Sequence, residues 1–233
     1  MCGRYRIKDT DVLTEHLRAS FGIPDWVMTP RYNIAPSQDL PVITMSDEGH
    51  AAVRTMRWGL VPFWDKSAKP KLAPINAQAE KVVTNGMFRR AVQTHRCLVP
   101  ADGFYEWLRL DEKTKVPFDI HFRDRRPFYM AGLYEPATPE RPATYAVLTT
   151  SANELMARIH NRMPAILNLA AAKRWLKPGA VTEGDVATLT APPPADEMEA
   201  NPVSSLVNSP RHDVPECIVP VAFTPPPCQG ELF

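Results

Sequence analysis

The chain has 233 residues, 44% hydrophobic and 23% charged, enough for one large domain or two small ones with a proper core. A formal net charge of +1 excludes a globally basic or acidic binder, so any nucleic-acid site must be a local basic groove. Twenty-five prolines against ten glycines point to short elements and rigid turns rather than long helices. Cys2 to Ile7 reads as a short strand, followed by a helix capped at Asp9 or Thr10 that runs through Val12, Leu13 and Leu17 to Phe21 and stops at Gly22. Residues 31–36 read as irregular around Pro36. Leu40–Met45 and Val53–Val61 read as strands, and Phe63–Pro74 as a polar loop carrying Trp64, Lys66, Lys69 and Lys71. Phe88–His95 is a short helix. Strand candidates follow at Arg96–Val99, Gly103–Leu108, Phe118–Phe122, Phe128–Tyr134 and Tyr145–Thr150, spaced closely enough for antiparallel neighbours. Ala152–Ile159 reads as a helix and Ala165–Leu167 as strand-like. Ala170–Leu176 and Gly184–Leu189 read as helices, Pro192–Pro202 as a loop and Val203–Val207 as a late strand. The expectation is one domain over residues 1–223 and a Pro-rich tail over 224–233.

Four cysteines, Cys2, Cys97, Cys217 and Cys228, form no C-x-x-C pair, and no His stands at zinc-finger spacing from one. No metal site or disulfide framework is expected from that spacing, and no cofactor. No apolar run reaches membrane-spanning length and no secretory leader pattern opens the chain, so the expectation is a cytoplasmic protein without a membrane partner.

Cys2 directly follows the initiator. Removal of Met1 leaves an α-amine and a thiol on adjacent carbons, with ordinary pKa values near ~8 and ~8.5. Both are then partly nucleophilic at neutral pH, and an aldehyde can close a thiazolidine ring on the pair. A frayed terminus carrying an incidental Cys is the alternative. Glu106 stands among Phe104, Tyr105 and Trp107, where desolvation suits a carboxyl to general acid/base work, or it points outward from an alternating strand. His160, ahead of Asn161-Arg162-Met163-Pro164, is either a proton carrier near pH 7 or a residue favoured at a helix C-terminus. Asn76 can orient a carbonyl or serve a turn. Basic and aromatic residues interleave at Arg4-Tyr5-Arg6, from Arg57-Trp58 to Trp64-Lys66, and at Phe88-Arg89-Arg90. That suits single-stranded nucleic acid, or simply core aromatics beside a solvated face. Glycine-rich phosphate loops, G-x-S-x-G and H-E-x-x-H are absent from the sequence.

Eight segments occur in a recognisable order: Met1-Cys2-Gly3-Arg4-Tyr5, Asn33-Ile34-Ala35-Pro36, Arg57-Trp58-Gly59-Leu60, Asn76-Ala77-x-x-Glu80, Arg96-Cys97-Leu98-Val99-Pro100, Gly103-Phe104-Tyr105-Glu106-Trp107, His160-Asn161-Arg162-Met163-Pro164 and Val203-x-x-x-Val207-Asn208. In this the chain resembles the SRAP (SOS response-associated peptidase) family of abasic site processing proteins, from about Cys2 to Val221. The resemblance implies a single α+β domain with an antiparallel, barrel-like β-sheet core and short flanking helices. It implies a protein that senses abasic sites in single-stranded DNA and cross-links to the ring-opened sugar as a thiazolidine through Cys2, with an associated lyase activity; separately, a monomer is expected. It assigns Cys2 as nucleophile, Asn76 to sugar orientation, Glu106 to ring opening and His160 to proton transfer. Arg4 and Arg162 match phosphate-binding positions, Trp58 and Trp64 lie in segments bordering the DNA, and Arg89, like Lys81 or Arg90, is a candidate DNA contact that could compensate for Gln78. Gln78 departs from the family's frequent Arg at that position. Two other functions remain open here: a cysteine-type peptidase using Cys2, His160 and Glu106, and a non-catalytic reader of single-stranded DNA.

Overall fold

The computed structural model describes residues 2–24, 26–46, 48–67 and 70–224. Met1, Lys69, Cys228 and the tail beyond Thr224 lie outside the described residues, so the expectations resting on them find no structural counterpart here. In chain order the elements are β1 (Arg4–Ile7), α1 (Thr10–Phe21), β2 (Arg31–Ile34), β3 (Asp39–Met45), β4 (Ala51–Trp58), β5 (Asn76–Gln78), α2 (Arg89–Thr94), β6 (Arg96–Ala101), β7 (Gly103–Arg109), β8 (Lys115–Phe122), β9 (Phe128–Glu135), β10 (Thr144–Ser151), α3 (Glu154–Ala157), β11 (Arg162–Pro164), β12 (Ile166–Leu167), α4 (Leu169–Leu176), α5 (Glu183–Leu189) and β13 (Met198–Pro202). Among the described residues no helix is long and apolar enough to cross a membrane.

The strands form two sheets. One has the order β13-β8-β7-β1-β2. The other runs β11-β10-β4-β3-β6-β9-β12, and an added β10–β9 pairing closes β10, β4, β3, β6 and β9 into a ring. Closure leaves those five strands without a free edge. Most pairings are antiparallel, as the spacing of the strand candidates implied; β10 is the exception, running parallel to both β4 and β5. The mixed α+β class and the barrel-like core agree with the expectation.

An aromatic cluster joins the sheets. The Tyr5 hydroxyl of β1 meets the Tyr145 hydroxyl of β10 at 2.9 Å, and the Trp58 ring of β4 lies edge-on to Tyr5 and stacked against Tyr145. All three rings are buried, and burying such side chains contributes roughly 1.5–3 kcal/mol each. On the outer face of the five-stranded sheet, Tyr105 packs with Val203, Val207 and Cys217 of the C-terminal segment. On the same outer face lies a buried charge group. Arg6 donates from Nε to Asp119 Oδ1 at 2.8 Å, from Nη2 to Asp119 Oδ2 at 3.0 Å, and from Nη1 to Asp102. Asp102 also accepts the backbone N–H groups of Lys8 and Asp9, which sets the turn into α1.

Several expected elements are corrected. Residues 31–34 are a strand rather than irregular: β2 pairs with β1, and the distant Asp213 carboxylate accepts the N–H groups of Tyr32 and Asn33. Residues 198–202, expected in a loop, pair with β8 as β13. The late strand expected over Val203–Val207 is one bridge, Val203 to Pro220, and then a 3-10 turn over Ser205–Asn208. The helix expected over Ala152–Ile159 shrinks to α3, because the Asn153 side chain caps it by accepting from Met156 N. Strand β4 ends at Trp58 because Gly59 takes φ +130°, a conformation that favours glycine and breaks the pleat.

Candidate active site

The candidate residues gather where the open sheet meets the ring. Cys2 enters β1, and continuing the β1–β7 register by one pair sets Glu106 opposite Gly3. Alternation along β7 puts Glu106 on the same face as Phe104, toward the second sheet. It is only 5% exposed, so the outward-pointing alternative does not hold. Asn76 opens β5, which β10 holds in parallel register through Val147. His160 follows α3 and immediately precedes Asn161 and β11. The first sheet thus contributes thiol and carboxyl, and the second contributes amide and imidazole.

Asn76 Nδ2 donates to the Cys2 carbonyl at 2.9 Å, which fixes the main chain of the nucleophile. Its Oδ1 is buried and accepts no hydrogen bond among the described residues, so an acceptor at the site stands ready for an incoming donor. The Cys2 thiol is fully buried and lies 4.0 Å from the Arg4 carbonyl. Burial first, and then the nearby Glu106 carboxylate, pushes that thiol up to about 12, so it is neutral at pH 7. His160 Nδ1 accepts the Arg162 backbone N–H at 3.0 Å. In the neutral ring that hydrogen bond assigns the proton to Nε2, which faces Glu106 Oε1 at 4.0 Å. The pair spans the junction at a separation longer than a hydrogen bond.

The four central residues are therefore brought together, and Arg162 joins them through His160. The Arg162 side chain makes a two-pronged pair with Glu80 at 2.7 and 2.8 Å and donates to the Thr149 carbonyl at 2.6 Å. Arg4 lies on the outer face, with Nη1 on Asn33 Oδ1 and the Val207 carbonyl, Nη2 on the Asn208 carbonyl, and its guanidinium 5.9 Å from the Trp107 ring. Gln78 and Arg89 are exposed. Trp64 is 49% exposed and meets Phe63 edge-on at 5.0 Å, while Arg90 covers Phe63 at 4.6 Å. Trp58 is corrected: it is 1% exposed and its indole N–H is spent on the Ile75 carbonyl, so it offers no ring face to a base. Two residues carry contacts that sequence reasoning gave no role. Glu80 was quoted within the Asn76 segment, and its pairing with a residue 82 positions later has no local signal. Phe63 flanks Trp64, and the doubled aromatic was the available hint.

The family described as SOS response associated peptidase (SRAP) matches residues 1–210. The chain belongs to the SRAP family. Among SRAP relatives, a protein of Bacillus subtilis named abasic site processing protein YoqW is 42% identical over 222 residues, which is 94% of this chain and 99% of that one. The chicken abasic site processing protein HMCES is 31% identical over 241 residues, covering 87% of this chain and 71% of the relative. A crystal structure of a protein from Bacteroides thetaiotaomicron superposes with a TM-score of 0.79 at 26% identity, over 95% of this chain and all of the other. A Bordetella bronchiseptica structure gives 0.71 at 25% identity, over 87% of this chain and all of that one. The junction of the two sheets thus lies within a fold that SRAP-like structures share.

Proposed function

We propose that this SRAP protein processes abasic sites in single-stranded DNA by capturing the sugar covalently on Cys2. Removal of Met1 supplies the α-amine. Glu106, buried beside Cys2, is placed for the proton shift that opens the furanose hemiacetal to its aldehyde. The amine adds to C1′, and the carbinolamine loses water, the proton for the departing hydroxyl being relayed across the Glu106–His160 pair. The Cys2 sulfur then adds to the imine carbon. A C–S bond forms, the thiol proton passes to nitrogen, and the product is a thiazolidine. One water leaves in total and nothing is oxidised or reduced. An imine that awaits sulfur also acidifies the C2′ proton, so slow strand scission is the competing outcome.

The observation that carries this reading is the convergence of Cys2, Glu106 and His160 at the junction, with the Cys2 carbonyl clamped by Asn76 at 2.9 Å. Burial holds the thiol protonated, which disfavours first attack on a peptide carbonyl by a thiolate. His160 Nδ1 is occupied by the Arg162 backbone N–H, and the adjacent Glu106 raises the Cys2 pKa instead of lowering it. Both facts favour covalent capture over general peptidase action. We further propose that the exposed pair Phe63 and Trp64, with Arg89 and Arg162, borders the strand, that the protein acts as a monomer, and that it works in the cytoplasm. The test is to mix purified protein with an oligonucleotide carrying one abasic site and run a denaturing gel without borohydride. A shifted band is expected for the native sequence and none for Cys2→Ala. Equal binding by both with no shifted band supports a non-catalytic reader, and turnover of an unrelated peptide supports the peptidase.

A further inference from the structure

We infer that Glu80 is a built-in competitor for the DNA phosphate at Arg162, an internal anion that the strand must displace. The inference rests on the proposed DNA reading and goes beyond it by assigning an opposing role to a carboxylate that the reaction does not use. The 3-10 turn Ala79–Lys81, which follows β5, carries Glu80 to the side of Arg162. Both carboxylate oxygens are engaged, at 2.7 and 2.8 Å, in the fork geometry that a phosphate also takes from a guanidinium. The two ends of the pair differ in freedom. The Glu80 side chain is 50% exposed and can swing into solvent, whereas that of Arg162 is 18% exposed.

Arg162 does not depend on Glu80 for its orientation. Its Nη2 also donates to the Thr149 carbonyl at 2.6 Å and approaches Thr149 Oγ1 at 3.3 Å, and its backbone N–H is bound to His160 Nδ1. Those contacts persist when the carboxylate leaves. Nε remains buried with no acceptor among the described residues, so Glu80 does not exhaust what this guanidinium can bind. Lys81 is the other charge acting on Glu80, and Gln78 at the end of the preceding strand β5 is neutral. The local arrangement is therefore one guanidinium and two candidate anions, one of them tethered. A tethered anion raises the threshold for weak polyanions and leaves a multiply contacted strand able to compete.

The test compares native sequence and Glu80→Gln for equilibrium binding to an undamaged single-stranded oligonucleotide across a salt series, with adduct yield on abasic DNA measured alongside. A half-exposed pair is worth little in water, so tightening of about two- to fivefold is expected for Glu80→Gln. The slope of log K against log salt should steepen by about 0.7, one newly released counterion on a single strand. Glu80→Asp, too short to keep both contacts, should fall between the two. Weaker or unchanged binding by Glu80→Gln with an unaltered melting temperature makes Glu80 a support for Arg162 and overturns the inference. Failure of the native protein to form an adduct counts against the proposed function instead, and the binding comparison still decides the role of Glu80.

Discussion

Gly103 opens β7 directly across from Arg6, and the structure leaves no room there for even one methyl group. A Cβ at this position would sit 2.5 Å from Arg6 Cζ and 2.6 Å from Nε and Nη2. An arginine tip is ordinarily free to move aside. This one is fully buried and held by Asp119 on one side and Asp102 on the other. Gly103→Ala must therefore either push β1 from β7 or break at least one charge-assisted bond. Overpacking of this kind costs about 1–3 kcal/mol, and a lost hydrogen bond to a charged group about 1.5–3 kcal/mol. A loss of about 3 kcal/mol follows, or roughly 6–12 °C in Tm for a chain of this size. Urea denaturation with a parallel thermal melt measures it. Gly86→Ala is the control, since a Cβ there meets nothing within 4 Å, and it should stay within about 0.5 kcal/mol of the native protein. A Gly103→Ala protein as stable as the Gly86→Ala protein would refute the claim that the buried Arg6 group fixes the β1–β7 seam on which Cys2 and Glu106 stand.

Trp64→Ala should leave the melting temperature unchanged and weaken single-strand binding by about 1–3 kcal/mol, the worth of one stacked base. Trp58→Ala should cost about 3–5 kcal/mol of stability, and the opposite pattern in the two variants would show that the exposed and buried tryptophans have been misassigned. Burial raises the thiols of Cys2 and Cys97 above their ordinary value of 9.0, and raises Tyr5, Tyr105, Tyr129 and Tyr145 above 10.0. Folded values above unfolded ones mean that this stability is fully present below pH 9 and is lost as pH climbs past it. Denaturation midpoints measured from pH 7 to 10 should be level at first and then fall; a rise above pH 9 contradicts the assignment.

How much of this was legible in the sequence varied with the range of the contacts. Strands β6 to β10 announce themselves by β-branched and aromatic runs between turns, and α1 by its period and its Gly22 stop. Local signals also pointed to Cys2, Glu106 and His160 as candidates, because residue type and neighbours suffice for that. Strand β2 was hidden because its outer edge is completed by Asp213, 180 residues or more away. β13 was hidden inside a Pro-rich acidic stretch, where propensity opposes a pairing that β8 imposes. Trp58 misled for a related reason: an aromatic beside Arg57 looks the same in sequence whether its ring faces solvent or Tyr145. The Glu80–Arg162 pair, similarly, exists only because β5 and β11 flank β10.

Intact mass of the protein after incubation with an oligonucleotide bearing one abasic site tests the capture chemistry most directly. The expected species is the chain without Met1, plus the oligonucleotide, minus one water, and its mass should not change when borohydride is added afterwards, since a thiazolidine has no C=N bond to reduce. A species that retains Met1, or one that gains two hydrogens on reduction, contradicts ring closure on the Cys2 amine and thiol.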